Sequence, residues 1–179
     1  MIYARIRGGL GNQLFQYSTA RSLADHLNVE LGLDTREFDK SSPFKMSLNQ
    51  FTLRANFNPP NLIKHKRYGM IAYLLDHISG NQRKVYKEPF LMFDKNLLSL
   101  TDGTYLKGYW QTEKYFIKNK EKIIKDLTLI HEPDGLNVET LKEIQKSKSI
   151  SLHIRRGDYV SNKTYNQNHG ILDLSYYEK

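Results

Sequence analysis

The sequence predicts an α/β fold with a parallel sheet, on three observations. Near the amino terminus an apolar segment, Ile2 to Ile6, runs into the turn Gly8-Gly9-Leu10-Gly11, and a helical pattern and a second apolar segment follow. Near the carboxyl end, Ile150, Leu152 and Ile154 alternate with Ser149, Ser151 and His153, which is the period of a strand. This second pattern runs directly into Arg155, Arg156, Gly157 and Asp158. Both segments therefore end in turns suited to an anion, and ligands of open α/β sheets bind at the carboxyl ends of the strands.

The elements follow in order. After the glycine turn, Tyr17, Ala20, Leu23, Ala24 and Leu27 recur at helical spacing, and Val29 to Leu33 reads as a strand ending at Asp34. Together these make one βαβ unit with a parallel pair. Thr35 to Pro60 is irregular, with Phe44, Leu48 and Phe51 expected to anchor it. Pro59-Pro60-Asn61 reads as a stop and an N-cap before an amphipathic helix through Ile63, Met70, Ile71, Leu74, Leu75 and Ile78, closed by Gly80. Short strands are expected near Arg83–Tyr86 and Thr104–Tyr109. A helix over Glu113–Leu127 should turn Phe116, Ile123, Ile124 and Leu127 inward. His131-Glu132-Pro133-Asp134-Gly135 is a cluster of chain breakers and the best linker candidate. A short helix with Leu136, Leu141 and Ile144 then leads to the strand at Ser149.

The expected domains are 1–147, a Rossmann-like unit, and 148–179, the start of a second unit. Only 21 residues follow Asp158, whereas a nucleotide-binding α/β domain needs roughly 100 or more. The second domain is therefore expected to be only begun.

Composition narrows the function classes. A chain that is 39% hydrophobic and 26% charged fits a folded, soluble protein. The absence of cysteine excludes disulfides, thiolate catalysis and Cys-based zinc sites. A net charge of +8 suits anionic partners without choosing among nucleotides, nucleic acids and acidic lipid headgroups. No stretch approaches the roughly 18 apolar residues of a membrane helix, and the start lacks a signal-peptide pattern. The expected location is cytoplasmic, with peripheral association at the inner membrane left open. The six histidines show no H-x-x-x-H pair, and no D-x-D is present, so no metal site is expected.

The candidate site residues fall in two groups. Arg155 and Arg156 can each fork charge-assisted hydrogen bonds onto phosphate oxygens; a surface arginine pair is the plainer alternative. His153 points to the strand face opposite Leu152 and Ile154. Asp158 can orient an arginine, cap the following segment or accept a proton, and the orienting role is favoured. In the first turn, Gly9 and Gly11 allow close backbone approach to a ligand, and Asn12 and Gln13 carry amides that bind hydroxyls or phosphate oxygens. A tight structural turn fits these glycines equally well, since the full dinucleotide fingerprint is absent. The basic run Lys64–Arg67 reads as a solvated helix face, and Gly108-Tyr109-Trp110-Gln111 as either a sugar-stacking site or an aromatic core corner. Arg156-Gly157-Asp158 spells an adhesion tripeptide, but the strand before it argues against that use.

These motifs together resemble the bacterial α-1,2-fucosyltransferases of glycosyltransferase family 11. The resemblance rests on G-G-L-G-N-Q-L-F-Q-Y at Gly8–Tyr17, with Ala20-Arg21 and Leu31–Asp34 after it. It rests also on G-Y-W-Q-T-E-K-Y-F at Gly108–Phe116 and on H-I-R-R-G-D-Y-V at His153–Val160, followed by His169-Gly170 and Tyr176-Tyr177. The resemblance implies a GT-B fold of two Rossmann-like domains, GDP-fucose as donor, no other cofactor, and inverting, metal-independent transfer to the 2-hydroxyl of galactose. The acceptor would be a galactose-terminated glycan or a lipid-linked oligosaccharide. It implies that His153, Arg155, Arg156 and Asp158 match the donor-binding motif, with one arginine neutralising the departing β-phosphate. It implies that Gly9, Gly11, Asn12 and Gln13 match the amino-terminal loop that closes on the cleft and take part in donor binding. The family's later donor-domain motifs have no counterpart before Lys179, so this chain alone is expected to lack turnover. The rival expectations are a non-catalytic remnant that binds glycan or GDP weakly and, last, a basic nucleic-acid-binding domain. The latter lacks the interleaved aromatic and basic residues of an RNA-binding sheet.

Overall fold

A computed structural model describes residues 1–38, 42–60, 62, 84–89, 92–152, 154, 157, 160, 167 and 172–177. The chain divides into two compact units, Met1–Glu132 and Pro133–Lys179, and the boundary falls inside the breaker cluster His131–Gly135.

The first unit is built on a parallel sheet. Among the described residues the strands are β1 (Ile2–Arg5), β2 (Leu31–Asp34), β3 (Asn56–Phe57), β4 (Val85–Lys87) and β5 (Tyr105–Lys107), in the order β3-β2-β1-β5-β4. The predicted βαβ unit is present: β1 leads through the glycine turn into α1 (Leu10–His26) and then into β2, which pairs with β1 in parallel. β3, only two residues long, was not foreseen; its exposed side chains carry no alternating pattern. From β1 the chain moves outward to β2 and β3. It later returns at the opposite edge, and β5 comes to lie beside β1. The β1–β5 junction is thus the point where the winding direction reverses, the place where such sheets leave a crevice.

One sheet face packs on α1. Ile2, Ala4, Ile6, Leu31, Leu33 and Leu106 meet Tyr17, Ala20, Leu23 and Ala24, and Leu48, Leu97, Trp110 and Tyr115 close the cluster. Trp110 is 1% exposed, so it belongs to the aromatic core corner. The opposite face carries Tyr3 and Tyr105 against Leu62. Gly32 lies on this second face, where a Cβ would sit 2.8 Å from Pro59 Cγ and 3.0 Å from Tyr3 Cδ1. A glycine inside a strand here reflects close packing.

α1 is buried nearly all round and carries polar groups inward. Asp126 Oδ2 accepts from Tyr17 Oη (2.8 Å) and from Arg21 Nε (2.9 Å), while Arg21 also pairs with Asp25. Burial, then the bond to Asp126, pushes the Tyr17 phenol far above its ordinary value.

Three expectations are corrected. The predicted helix Glu113–Leu127 is two 3-10 turns, Glu113–Tyr115 and Ile117–Asn119, followed by a short helix α2 (Lys120–Asp126). Its Ile123 is buried, but Ile124 is 59% exposed, because the tighter first turns rotate the apolar stripe. Leu48 anchors the irregular segment as expected, yet Phe44 stays 42% exposed. The strand expected from Ser149 is absent over 149–152, and Ile150 is 94% exposed. A strand needs a neighbour for its backbone groups. Here Ser149 Oγ instead donates to Ile144 O at the end of the preceding helix. The helix expected through Ile63–Ile78 and the basic run Lys64–Arg67 lie outside the described residues.

The second unit holds α3 (Gly135–Lys146), which buries no residue, and a 3-10 turn, Leu174–Tyr176.

Candidate functional site

The carboxyl edge of the sheet gathers the loops after each strand, and at the β1–β5 junction two of them touch. The β1 loop turns at Gly8, whose φ of +78° a side chain rarely tolerates; a Cβ there would lie 2.8 Å from Asn12 Nδ2. Gly9 is the N-cap of α1 in extended geometry. The free amides of the helix's first turn therefore point out of this edge and add positive potential. Gly11 is exposed, with no atom within 4 Å of where its Cβ would be.

The four expected residues of this loop divide. Asn12 is half-buried, and its Oδ1 accepts from Gln111 Nε2 at 2.6 Å, so two side-chain amides from the β1 and β5 loops meet at the rim. Gln13 faces the core. It is fully buried, its Nε2 donates to Gly8 O (2.8 Å) and Lys45 O (2.9 Å), and its Oε1 accepts from Ser47 N (2.9 Å). This amide ties the glycine turn to the segment 42–48. Phe44 from that segment lies where a Gly9 Cβ would contact its ring at 3.9 Å. Gly9, Gly11 and Asn12 are thus brought together at the open edge, with Gln13 beneath them as their support. His153, Arg155, Arg156 and Asp158 lie outside the described residues. Between them, Gly157 has a φ of +59° and an exposed backbone.

The β5 loop explains the Gly-Tyr-Trp-Gln motif. Glu88, directly after β4, accepts the backbone N–H of Tyr109 (2.7 Å) and of Trp110 (2.9 Å). This clamp draws the loop against β4 so closely that a Cβ on Gly108 would lie 2.5 Å from Glu88 Cβ. Trp110 takes a φ of +58° and buries its indole against Tyr86 and Tyr115. The same turn leaves Tyr109 and Gln111 facing the β1 loop. The Arg7 guanidinium lies 5.5 Å over the Tyr109 ring. Arg7 N donates to Gln16 Oε1 (2.8 Å), and Gln16 Nε2 and Thr19 Oγ1 are buried without partners among the described residues.

Charge concentrates at this edge. Asp34 ends β2 and is buried; its carboxylate accepts two bonds from Arg36, each 2.8 Å, and one from Tyr105 Oη at 2.7 Å. Burial first, then Asp34, pushes the Tyr105 phenol far up. Arg5 Nε donates to Glu37 at 2.5 Å, and that bond raises its already high value. Lys107 is shifted down by burial, then by Arg5 and Lys87, with Glu37 opposing.

Sequence reasoning missed Arg7 and Glu88. Each directly follows or lies just beyond a strand end, the signal that could have found them. Among the described residues no group of three or more His, Asp or Glu is placed to hold a metal ion, and no helix is long and apolar enough to cross a membrane.

The family model described as Glycosyl transferase family 11 matches residues 1–179. An alpha-1,2-colitosyltransferase of Escherichia coli is 29% identical over 99% of this chain and 61% of its own length. An O-antigen biosynthesis glycosyltransferase, WbnK, also of Escherichia coli, is 29% identical over 99% of this chain and 66% of its own. The chain therefore spans about two thirds or less of the curated relatives it matches. No solved structure is significantly similar to it.

Proposed function

The chain belongs to glycosyl transferase family 11, and from that premise we propose that the whole protein transfers L-fucose from GDP-fucose to the 2-hydroxyl of a terminal galactose. The match along the entire chain carries this reading. The reaction inverts the anomeric centre and needs no metal, on a two-domain GT-B scaffold of which residues 1–147 form the acceptor-side domain. Residues 148–179 begin the donor-binding domain. The acceptor hydroxyl attacks C1 of the sugar as GDP departs, and negative charge grows on the β-phosphate. Arg155 and Arg156 neutralise it, with an orienting role for Asp158 and His153 as a further member of the same motif. A fixed cation aimed at a developing charge lowers the barrier because it needs no reorganisation during the reaction. The rim formed by Gly9, Gly11, Asn12, Tyr109 and Gln111 offers amides and an aromatic face, the groups that bind phosphate oxygens, sugar hydroxyls and sugar rings, and its glycine loop serves the donor. The acceptor is a galactose-terminated glycan, free or lipid-linked, met in the cytoplasm or at the inner face of a membrane.

The similarity to an alpha-1,2-colitosyltransferase favours a second reading, in which the transferred sugar is colitose on the same α-1,2 linkage. Transfer assays with the whole protein, labelled GDP-fucose and a nucleotide-linked colitose, on a galactose-terminated acceptor, separate the two. Fucose transfer is expected, with Arg156→Ala lowering kcat by about 10²–10³-fold, as when one oxyanion donor is lost. No transfer of either sugar would leave a glycan-binding remnant as the better description.

A further inference from the structure

The carboxyl edge carries a row of cations that the rim described above does not use. Lys87 of β4 is directly opposite Lys107 of β5, and Ala4 of β1 is opposite Leu106, so Arg5 continues the row beside Lys107. Residues in register on adjacent strands share a face, and strands lie about 4.8 Å apart, so the three side chains emerge within about 10 Å. Like charges directly opposite each other weaken a sheet. Arg5 is offset by Glu37, but neither Lys87 nor Lys107 has an ion-pair partner among the described residues. Glu37 also acts on Lys107, and Asp34 stands in register with Arg5, while Glu88 is occupied by the amides of Tyr109 and Trp110. Arg7 stands close enough to disfavour the Lys107 charge further.

We propose that Lys87, Lys107 and Arg5 form an oxyanion site on the β5 side of the crevice that binds a phosphate or diphosphate group. Two lysine ammoniums supply point charges, and Arg5, whose Nε is held by Glu37, adds its terminal N–H groups, a set that matches phosphate oxygens. The site lies at the strand ends where ligands of such sheets bind, and it places an anion next to the Tyr109–Gln111 rim. The proposal rests on the transferase reading only for what carries the phosphate: the nucleotide of the donor, or an acceptor that is itself phosphorylated.

Calorimetric titration of the whole chain with inorganic pyrophosphate tests it. Saturable binding is expected. Lys107→Gln should weaken it about tenfold, the loss of one charge-assisted contact. Lys107→Arg should keep it, and Lys146→Gln, on the exposed α3, should change nothing. Competition by GDP assigns the phosphate to the nucleotide, and competition by galactosyl diphosphate assigns it to the acceptor. Equal affinity in wild type and Lys107→Gln overturns the proposal. So does binding that neither competitor displaces, which would mark an adventitious anion only. Aggregation of Lys87→Gln with unchanged pyrophosphate affinity would assign Lys87 to protecting the sheet edge, and would also overturn it. Should a variant fail to fold, the side-chain resonance of Lys107 in the wild type decides: it must shift on adding pyrophosphate. Fucose transfer to a neutral acceptor without pyrophosphate binding would remove the site and leave the transferase reading standing.

Discussion

At Gly11 the backbone is helical, exposed and surrounded by open space, so nothing in the protein itself requires a glycine there. Gly11→Ala is expected to stabilise the fold by about 0.5–1 kcal/mol, by removing freedom from the unfolded chain. If a ligand approaches this turn, the same change should lower transfer activity while raising the urea midpoint. Gain in both would show that Gly11 contacts no substrate. Gly8 differs, because its positive φ and the nearby Asn12 amide require glycine on structural grounds. Glu88 works through the backbone. In Glu88→Gln one of the two acceptor oxygens becomes a donor, so the N–H of Tyr109 or Trp110 loses its partner. A cost of about 1–3 kcal/mol is expected in urea unfolding, together with a rise in KM for the acceptor as Tyr109 and Gln111 drift. Wild-type stability in that variant would mean the clamp contributes nothing.

The β1–α1 turn is held from below by Gln13, whose one amide satisfies three backbone groups from two separate segments. Gln13→Leu keeps the volume and removes all three bonds. It should destabilise the first unit by about 3 kcal/mol and open residues 42–48 to limited proteolysis. Unchanged cleavage there would show that the segment is held by Leu48 alone. The glycine turn was legible because glycine between an apolar strand and a helical pattern has few other uses. The direction of Gln13 was not, since its partners Lys45 and Ser47 are more than thirty positions away. The strand expected at Ser149 fails for a related reason. Alternation describes a side-chain pattern, and a strand forms only where a neighbour accepts its backbone bonds.

At the scale of the whole molecule, four phenols are held above their ordinary value of 10.0: Tyr17 and Tyr105 far above it, Tyr86, through burial and then Asp94, up to about 12, and Tyr115 above it chiefly through burial. A raised value in the folded state means the unfolded chain loses those protons first. The stability this confers is complete below pH 10 and is lost as the pH climbs from there towards the folded values. Lys107, shifted down, acts the other way: its cost is complete at neutral pH and is relieved as the pH rises towards 10.5. The phenols outnumber it. The urea midpoint should therefore fall between pH 10 and 12, by at most about 1.4 kcal/mol per pH unit for each tyrosine. Tyr105→Phe should make the fall shallower, and a flat midpoint across that window would contradict the burial of these phenols.

What the amino-acid order determined by itself was local: the βαβ unit, the glycine turn, the family to which the motifs belong, and the break near Pro133. These depend on period, on glycine and proline, and on short-range spacing, all of which are written along the chain. Only the tertiary structure decided that β5 lies beside β1, that Glu88 folds the Gly-Tyr-Trp-Gln loop, that Gln13 turns inward, and that Lys87, Lys107 and Arg5 stand in one row. Each of those depends on strand order, and strand order is set by how distant apolar faces cover one another, a property of the assembled core that no short window of sequence contains.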